Sequence, residues 1–162
     1  MTVYAITGNL GSGKSLVSVG RIQDYLRAGR KVATNLDLSL PDLLHKRSKM
    51  SCIRLPDFPT RDDFDCLGLG NESTDEKKNG LIVLDECGVF FNSREWADKS
   101  RQAAISWLLH SRKKGWDVIF IVQSVELIDK QIRVSLLEHL GICKRLDRFK
   151  IPFIGFILKA FG

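Results

Sequence analysis

Eight residues near the start of the chain, Gly8-Asn9-Leu10-Gly11-Ser12-Gly13-Lys14-Ser15, restrict what it can fold into more than any other stretch. They satisfy G-x-x-x-x-G-K-[ST] at every fixed position, after the apolar run Val3-Tyr4-Ala5-Ile6 and before a helix-forming segment. Glycine lets the backbone turn tightly enough for several N–H groups to face one anion, and the helix that follows points its positive N-terminal end at the same spot. The pattern predicts a phosphate cradle running from Gly8 to Leu16, with the Lys14 ammonium on the outer phosphates and the Ser15 hydroxyl on Mg²⁺. A Gly/Ser-rich turn that merely joins strand to helix is the competing reading. Ordinary residue frequencies produce the full pattern in about one chain per hundred of this length, and fewer in this context.

A cradle of this kind needs an acidic partner from another strand, and Gly80-Leu81-Ile82-Val83-Leu84-Asp85-Glu86 offers one. A continuous apolar run suits a central parallel strand covered on both faces, and ligands bind beyond the carboxyl ends of such strands. Asp85 is therefore expected to hold Mg²⁺ through water, and Glu86 to polarise an attacking water. Many buried strands end in an acidic turn, so these two residues gain meaning only from the loop at Gly8. The run Val118-Ile119-Phe120-Ile121-Val122 is closed by Gln123, a candidate for sensing the terminal phosphate or orienting water. Asn35, closing the short strand Val32-Ala33-Thr34, either lines the same crevice or is a turn residue.

Between these strands, Leu16, Val19, Ile22 and Leu26 fall at helical spacing before a stop at Gly29. Residues 36–79, broken by Pro41, Pro56 and Pro59, read as a variable insertion with a short helix capped by Thr60 and Asp63 and an exposed loop over 71–79. Residues 96–114 and 125–137 read as helices, and 142–146 as an edge strand. The alternation predicts a three-layer α/β/α sandwich on a mainly parallel, five-stranded sheet, one P-loop NTPase domain spanning 1–162. Glu86 beside Asp85, without a recognisable acceptor site, predicts the hydrolytic branch of that class, with an extra strand between the loop strand and the acidic strand.

At 162 residues the chain can bury about two thirds of its unfolded surface without staples. Cys52, Cys66, Cys87 and Cys143 form no C-x-x-C pair, which predicts reduced thiols in a cytoplasmic setting. No apolar run approaches the roughly 20 residues that span a bilayer. The net charge of +6 is compatible with nucleic acid, anionic lipid or a nucleotide as partner. One candidate basic surface comprises Arg112, Lys113, Lys114, Lys144, Arg145, Arg148 and Lys150, facing nucleic acid or an anionic membrane; a solvated helix end explains part of the same charge. Residues 151–158 are strongly apolar, and the chain is expected to be cut from a longer protein.

Asp85-Glu86-Cys87-Gly88 with Phe91-Asn92-Ser93-Arg94, then His110-Ser111-Arg112-Lys113-Lys114-Gly115-Trp116-Asp117 and Ile128-Asp129-Lys130-Gln131-Ile132-Arg133, closely resemble the zonula occludens toxin (Zot) family, which includes the assembly protein of filamentous phages. The resemblance implies an ATP-binding, Mg²⁺-dependent domain on the cytoplasmic side of a bacterial inner membrane, followed by a membrane-spanning segment and an outer domain. It also implies work in virion assembly and export, with virion proteins or phage DNA as partners. The alternative is a toxin or membrane interaction protein whose nucleotide fold is structural or regulatory. Motor ATPases commonly complete their site with an arginine from a neighbouring subunit, so a homo-oligomer is expected, with Arg94 and Arg133 as candidates for that role.

Overall fold

The computed structural model describes residues 2–86 and 99–145. Six strands form one sheet: β1 (Val3–Thr7), β2 (Val32–Thr34), β3 (Ile53–Arg54), β4 (Gly80–Leu84), β5 (Trp116–Ile121) and β6 (His139–Ile142). Their order is β3-β2-β4-β5-β1-β6, and every pairing is parallel. The sequence predicts five strands; the sixth is the two-residue β3, which extends the sheet from inside the 36–79 insertion. It is too short and too exposed to carry an alternating pattern.

Helices cover both faces. On one lies α1 (Lys14–Arg27), whose Ile22 and Leu26 pack with Ile6, Val32, Leu81, Val83, Ile119 and Ile121. On the other lie α3 (Arg61–Asp65), α4 (Lys99–Leu109) and α5 (Lys130–Ser135), with Phe64, Trp107, Leu108 and Ile132 against Ile82, Leu84, Val118 and Phe120. A fifth, four-residue helix, α2 (Leu40–Leu43), lies in the insertion. Side chains of β4 alternate between the two clusters, which is why its sequence is apolar without interruption. Each such fully buried side chain stabilises the fold by about 1.5–3 kcal/mol.

Local chemistry fixes the ends. Thr60 and Asp63 close a reciprocal capping box at the start of α3. Gly115, at φ 71°, turns the chain from the basic 3₁₀ segment Ser111–Lys114 into β5. Trp107 donates its indole N–H to Asp65 at 2.8 Å and so ties α4 to α3.

Three expected elements differ: of the helix expected over 96–114, the described part is α4 (Lys99–Leu109), and Ser111–Lys114 form a separate 3₁₀ segment. Residues 125–137 do not form one helix: Ser124 caps a 3₁₀ turn over Val125–Leu127, Ile128 is extended, and Asp129 caps α5 separately. Two competing caps divide the segment. The edge strand lies at His139–Ile142 rather than 142–146, because β1 leaves the sheet at Gly8; the Cys143 N–H donation to the Thr7 carbonyl is the last bond available. Among the described residues no helix is long and apolar enough to cross a membrane. Cys52, Cys66 and Cys143 are free thiols, while Cys87 lies outside the described residues.

Candidate nucleotide site

β1 ends at Thr7, and the chain turns through Gly8 to Gly13 into α1. Gly8 has φ 148° and lies against β6, where a methyl group would strike the Cys143 carbonyl and stand 2.6 Å from Ser12 Oγ. Gly13, at φ 88°, is the N-cap of α1 and gives no side-chain cap. The first turn of α1 also holds no acidic residue, so its N–H groups and dipole are left to an outside anion. Lys14 Nζ folds back onto two carbonyls of the loop, donating to Gly8 O at 2.8 Å and Asn9 O at 3.2 Å. Ser12 Oγ is buried with no hydrogen-bond partner among the described residues. An uncapped helix, an orphaned hydroxyl and a lysine resting on its own loop together fit a phosphate group.

A cavity of about 760 Å³ opens above this loop, lined by Leu10 to Leu16, Asp85, Glu86, Ile121, Val122, Gln123 and Leu127. Lys14, Ser15, Asp85, Glu86 and Gln123, drawn from three adjacent strand ends, thus share one space. Gly8 and Asn9 underlie the loop and hold Lys14 from behind. Among the described residues no cluster of three or more His, Cys, Asp and Glu stands ready to hold a metal. Mg²⁺ keeps water and phosphate oxygens and takes only one or two protein groups; Ser15 and Asp85, both on the cavity wall, are the residues that could hold it there.

The acidic turn has an unusual backbone. Glu86 adopts φ 54°, the one non-glycine residue with positive φ among those described. Such a conformation costs about 1–2 kcal/mol, so something must hold it. The Glu86 N–H donates to Asp85 Oδ1 at 2.8 Å. Asn35, at the end of β2, clamps the preceding residue at two points: the Asp85 N–H donates to Asn35 Oδ1 at 2.7 Å, and Asn35 Nδ2 donates to the Asp85 carbonyl at 3.0 Å. Of the two readings open for Asn35, the structure gives a third role: its amide does not line the crevice but fixes the turn that does. The adjacency of β2 and β4 was the missing information.

Arg133 lies half-buried on α5, outside the wall of the cavity. Arg94 lies outside the described residues, as do Arg148 and Lys150. The candidate basic surface is divided by the fold. Arg112, Lys113 and Lys114 precede β5, whereas Lys144 and Arg145 follow β6, and in a parallel sheet these are opposite ends. Arg145 belongs with the loop: its Nη1 stands 3.8 Å from where a methyl group on Gly11 would sit.

Asp129 explains part of the motif around residues 128–133. Its Oδ1 caps α5 through the Gln131 N–H at 2.8 Å, and its Oδ2 accepts from Arg101 on α4 at 3.1 Å. Both side chains are about nine-tenths or more buried, at 5% and 10% exposure.

The glycine loop on β1, the acids on β4 and the strand β5 between them define a P-loop NTPase domain of the branch with an inserted strand. Solved structures share this fold. The N-terminal domain of zonular occludens toxin from Neisseria meningitidis aligns at TM-score 0.55 and 23% identity, over 85% of this chain and 74% of that one. The DNA-packaging ATPase B204 from Sulfolobus turreted icosahedral virus aligns at 0.57 and 15% identity, over 98% and 81%. Residues 2–156 match the family Zonular occludens toxin (Zot), and the chain belongs to it. Relatives include the Gene 1 protein of Escherichia phage If1, 56% identical over 160 residues, and that of Enterobacteria phage M13, 54% identical over 158. The chain is covered to 97% and 96% by these matches but spans only 45% of either relative.

Proposed function

We propose that the chain is the ATP-hydrolysing motor domain of a larger filamentous-phage assembly protein, working as one domain on the cytoplasmic side of the bacterial inner membrane. The observation that carries this is the single cavity in which the uncapped start of α1, Lys14, Asp85, Glu86 and Gln123 meet. Loop N–H groups and Lys14 bind the phosphates, and Lys14 exchanges its two carbonyl acceptors for phosphate oxygens. Mg²⁺, when bound, neutralises charge on the phosphates. Glu86 orients a water and accepts its proton as the oxygen attacks the terminal phosphorus, ADP leaving with the electrons of the broken P–O bond. Gln123 stands between the two sets of groups and senses the terminal phosphate.

Arg133 lies outside the wall of its own cavity, so on this reading it would act on the transferring phosphate from a second copy; Arg94 is the other candidate for that role. Virion proteins and DNA are the cargo this reading assigns. A structural or regulatory nucleotide fold would need none of the hydrolytic groups.

The test is a thermal shift with Mg-ATP. At about a hundred times its dissociation constant the ligand should add about 2.7 kcal/mol, a rise of about 5–10 °C. Lys14→Ala should abolish it. An unchanged melting temperature at millimolar Mg-ATP, or an equal rise in the variant, overturns the reading.

A further inference from the structure

The charge excess of this chain collects at the end of the sheet farthest from the nucleotide cavity. Four neighbouring strands, β3, β2, β4 and β5, are each preceded by a cationic segment. Lys46, Arg47 and Lys49 lead toward β3, and Arg30-Lys31 run directly into β2. Lys77-Lys78 stand just before β4, and Arg112-Lys113-Lys114 before β5. Because all four strands are parallel and adjacent, these segments lie in a row, about 4.8 Å apart where strand spacing sets the distance. The acidic residues at that end offset only part of the charge: Asp65 pairs with Lys114 at 3.3 Å and Glu76 with Arg112 at 3.5 Å. Such exposed pairs are weak and exchange readily for other anions.

The surface between the cations is furrowed. One hollow of about 510 Å³ is lined by Arg27, His45 and Ser48 together with Asp42 and the apolar Leu43, Leu44 and Met50, and a second of about 450 Å³ by Arg30, Lys31, Lys77 and Lys78 against the single acid Glu72, so the excess of positive charge lies in the second. Gly29 lines both, so the two hollows adjoin at that end of the sheet and together make a furrow.

We infer that this furrow is a binding surface for the phosphodiester backbone of single-stranded nucleic acid. A flexible polyanion can follow a curved channel and place successive phosphates on successive basic segments; a planar bilayer meets only its rims. Binding to a bilayer also uses several apolar side chains inserted between head groups. Among the described residues, the exposed large apolar side chains at this end are only Ile53, which opens β3, and Leu69, beside Gly70, too few to anchor a bilayer; Leu10, Leu16 and Leu127 line the nucleotide cavity and Leu140 and Ile142 lie on β6. Among the residues that line the two hollows the one exposed aromatic ring is the His45 imidazole, so bases have little to stack on and recognition is largely independent of sequence. The inference does not depend on nucleotide hydrolysis, since the two sites occupy opposite ends of the same strands.

The test is fluorescence anisotropy with the full chain and a labelled thirty-base oligothymidylate, across a salt series. Single strands give a slope of log affinity against log salt of about −0.7 for each phosphate neutralised. Replacing three exposed cations together, Lys77→Ala, Lys78→Ala and Lys113→Ala, should flatten the slope by about 2 and leave the melting temperature unchanged. Lys14→Ala, which removes the nucleotide reading's own cation, should leave the slope untouched. Lack of binding by the unaltered chain, or an unaltered slope in the triple variant, overturns the inference. So does binding to anionic phosphatidylglycerol vesicles in place of the oligonucleotide, or loss through Lys144→Ala and Arg145→Ala alone.

Discussion

Asn35→Ala removes the two hydrogen bonds that seat Asp85, at 2.7 and 3.0 Å, while substituting no cavity-lining residue. The Asp85 N–H and carbonyl belong to a half-buried residue, so water replaces part of what is lost. With about 0.5–1.5 kcal/mol net for each bond, the fold should lose about 2 kcal/mol. For a domain of this size that is about 4–8 °C in melting temperature. The catalytic loss should be larger in proportion. Glu86 sits at φ 54° only while its neighbour is held, and release of the turn lets it relax toward ordinary backbone angles. A displacement of about 1 Å at the water-orienting carboxylate costs about 10²-fold in turnover. Nucleotide affinity rests on the loop and Lys14 and should change little. Asn35→Asp is the sharper variant, since it sets an anionic oxygen against the Asp85 carbonyl. Steady-state phosphate release, ATP titration and calorimetry on the three proteins separate these effects. Turnover and melting within error of the unaltered chain would refute the clamp. A fall in affinity matching the fall in turnover would instead place Asn35 on the nucleotide.

Glu86→Gln keeps size and loses charge, so ATP should still bind while phosphate release falls by about 10²-fold or more; normal release would move the role to Gln123. Arg101→Ala strands the buried Asp129 carboxylate beside the α5 cap, and should destabilise by about 3–5 kcal/mol in urea unfolding. Asp129→Asn with it should cost less than the sum of the two single changes. Burial pushes the Cys52 thiol up to about 11, leaving about one thiolate in a thousand at pH 8. Mass spectrometry after iodoacetamide should therefore find exposed Cys66 modified well before Cys52, and Cys52 gaining reactivity only as pH rises toward 11.

What was legible in the sequence was whatever depends on neighbours along the chain. The loop at Gly8, the doubly covered strand before Asp85, the capping box at Thr60 and the turn at Gly115 are local devices, and their residues announce them. What was not legible depends on which strands lie side by side. β3 has two residues and no alternation to read. Asn35 and Asp85 are fifty positions apart, and their bond exists only because β2 pairs with β4. The same holds for the basic segments: Arg112-Lys113-Lys114 and Lys144-Arg145 look alike in sequence, yet one group precedes a strand and the other follows one. The caps at Ser124 and Asp129, with Ile128 extended between them, divide an otherwise helical pattern.

The order of strands also decides whether the site has room for its chemistry. β1 pairs with β5 so that Ile6 stands level with Ile121, and β4 pairs with β5 so that Leu84 stands level with Phe120. Continuing each strand outward brings Asp85 level with Ile121 and Gly8 level with Gln123. All three chain segments therefore leave the sheet within about two residues of one another. With about 4.8 Å between neighbouring strands, the acids on β4 stand about 10 Å from the glycine loop, with β5 in the gap. That separation admits phosphate oxygens, a hydrated cation and a water between carboxylate and loop, and it places the Gln123 amide at the middle. Were β4 to lie directly beside β1, the gap would close to about 5 Å and Gln123 would no longer stand between the acids and the loop. A slip of one residue between β4 and β5 would be equally damaging, because it turns Ile82 and Leu84 out of one core cluster and Leu81 and Val83 out of the other. The two apolar cores that stabilise the sheet are thus also what sets Asp85 and Glu86 at the height of the phosphate loop.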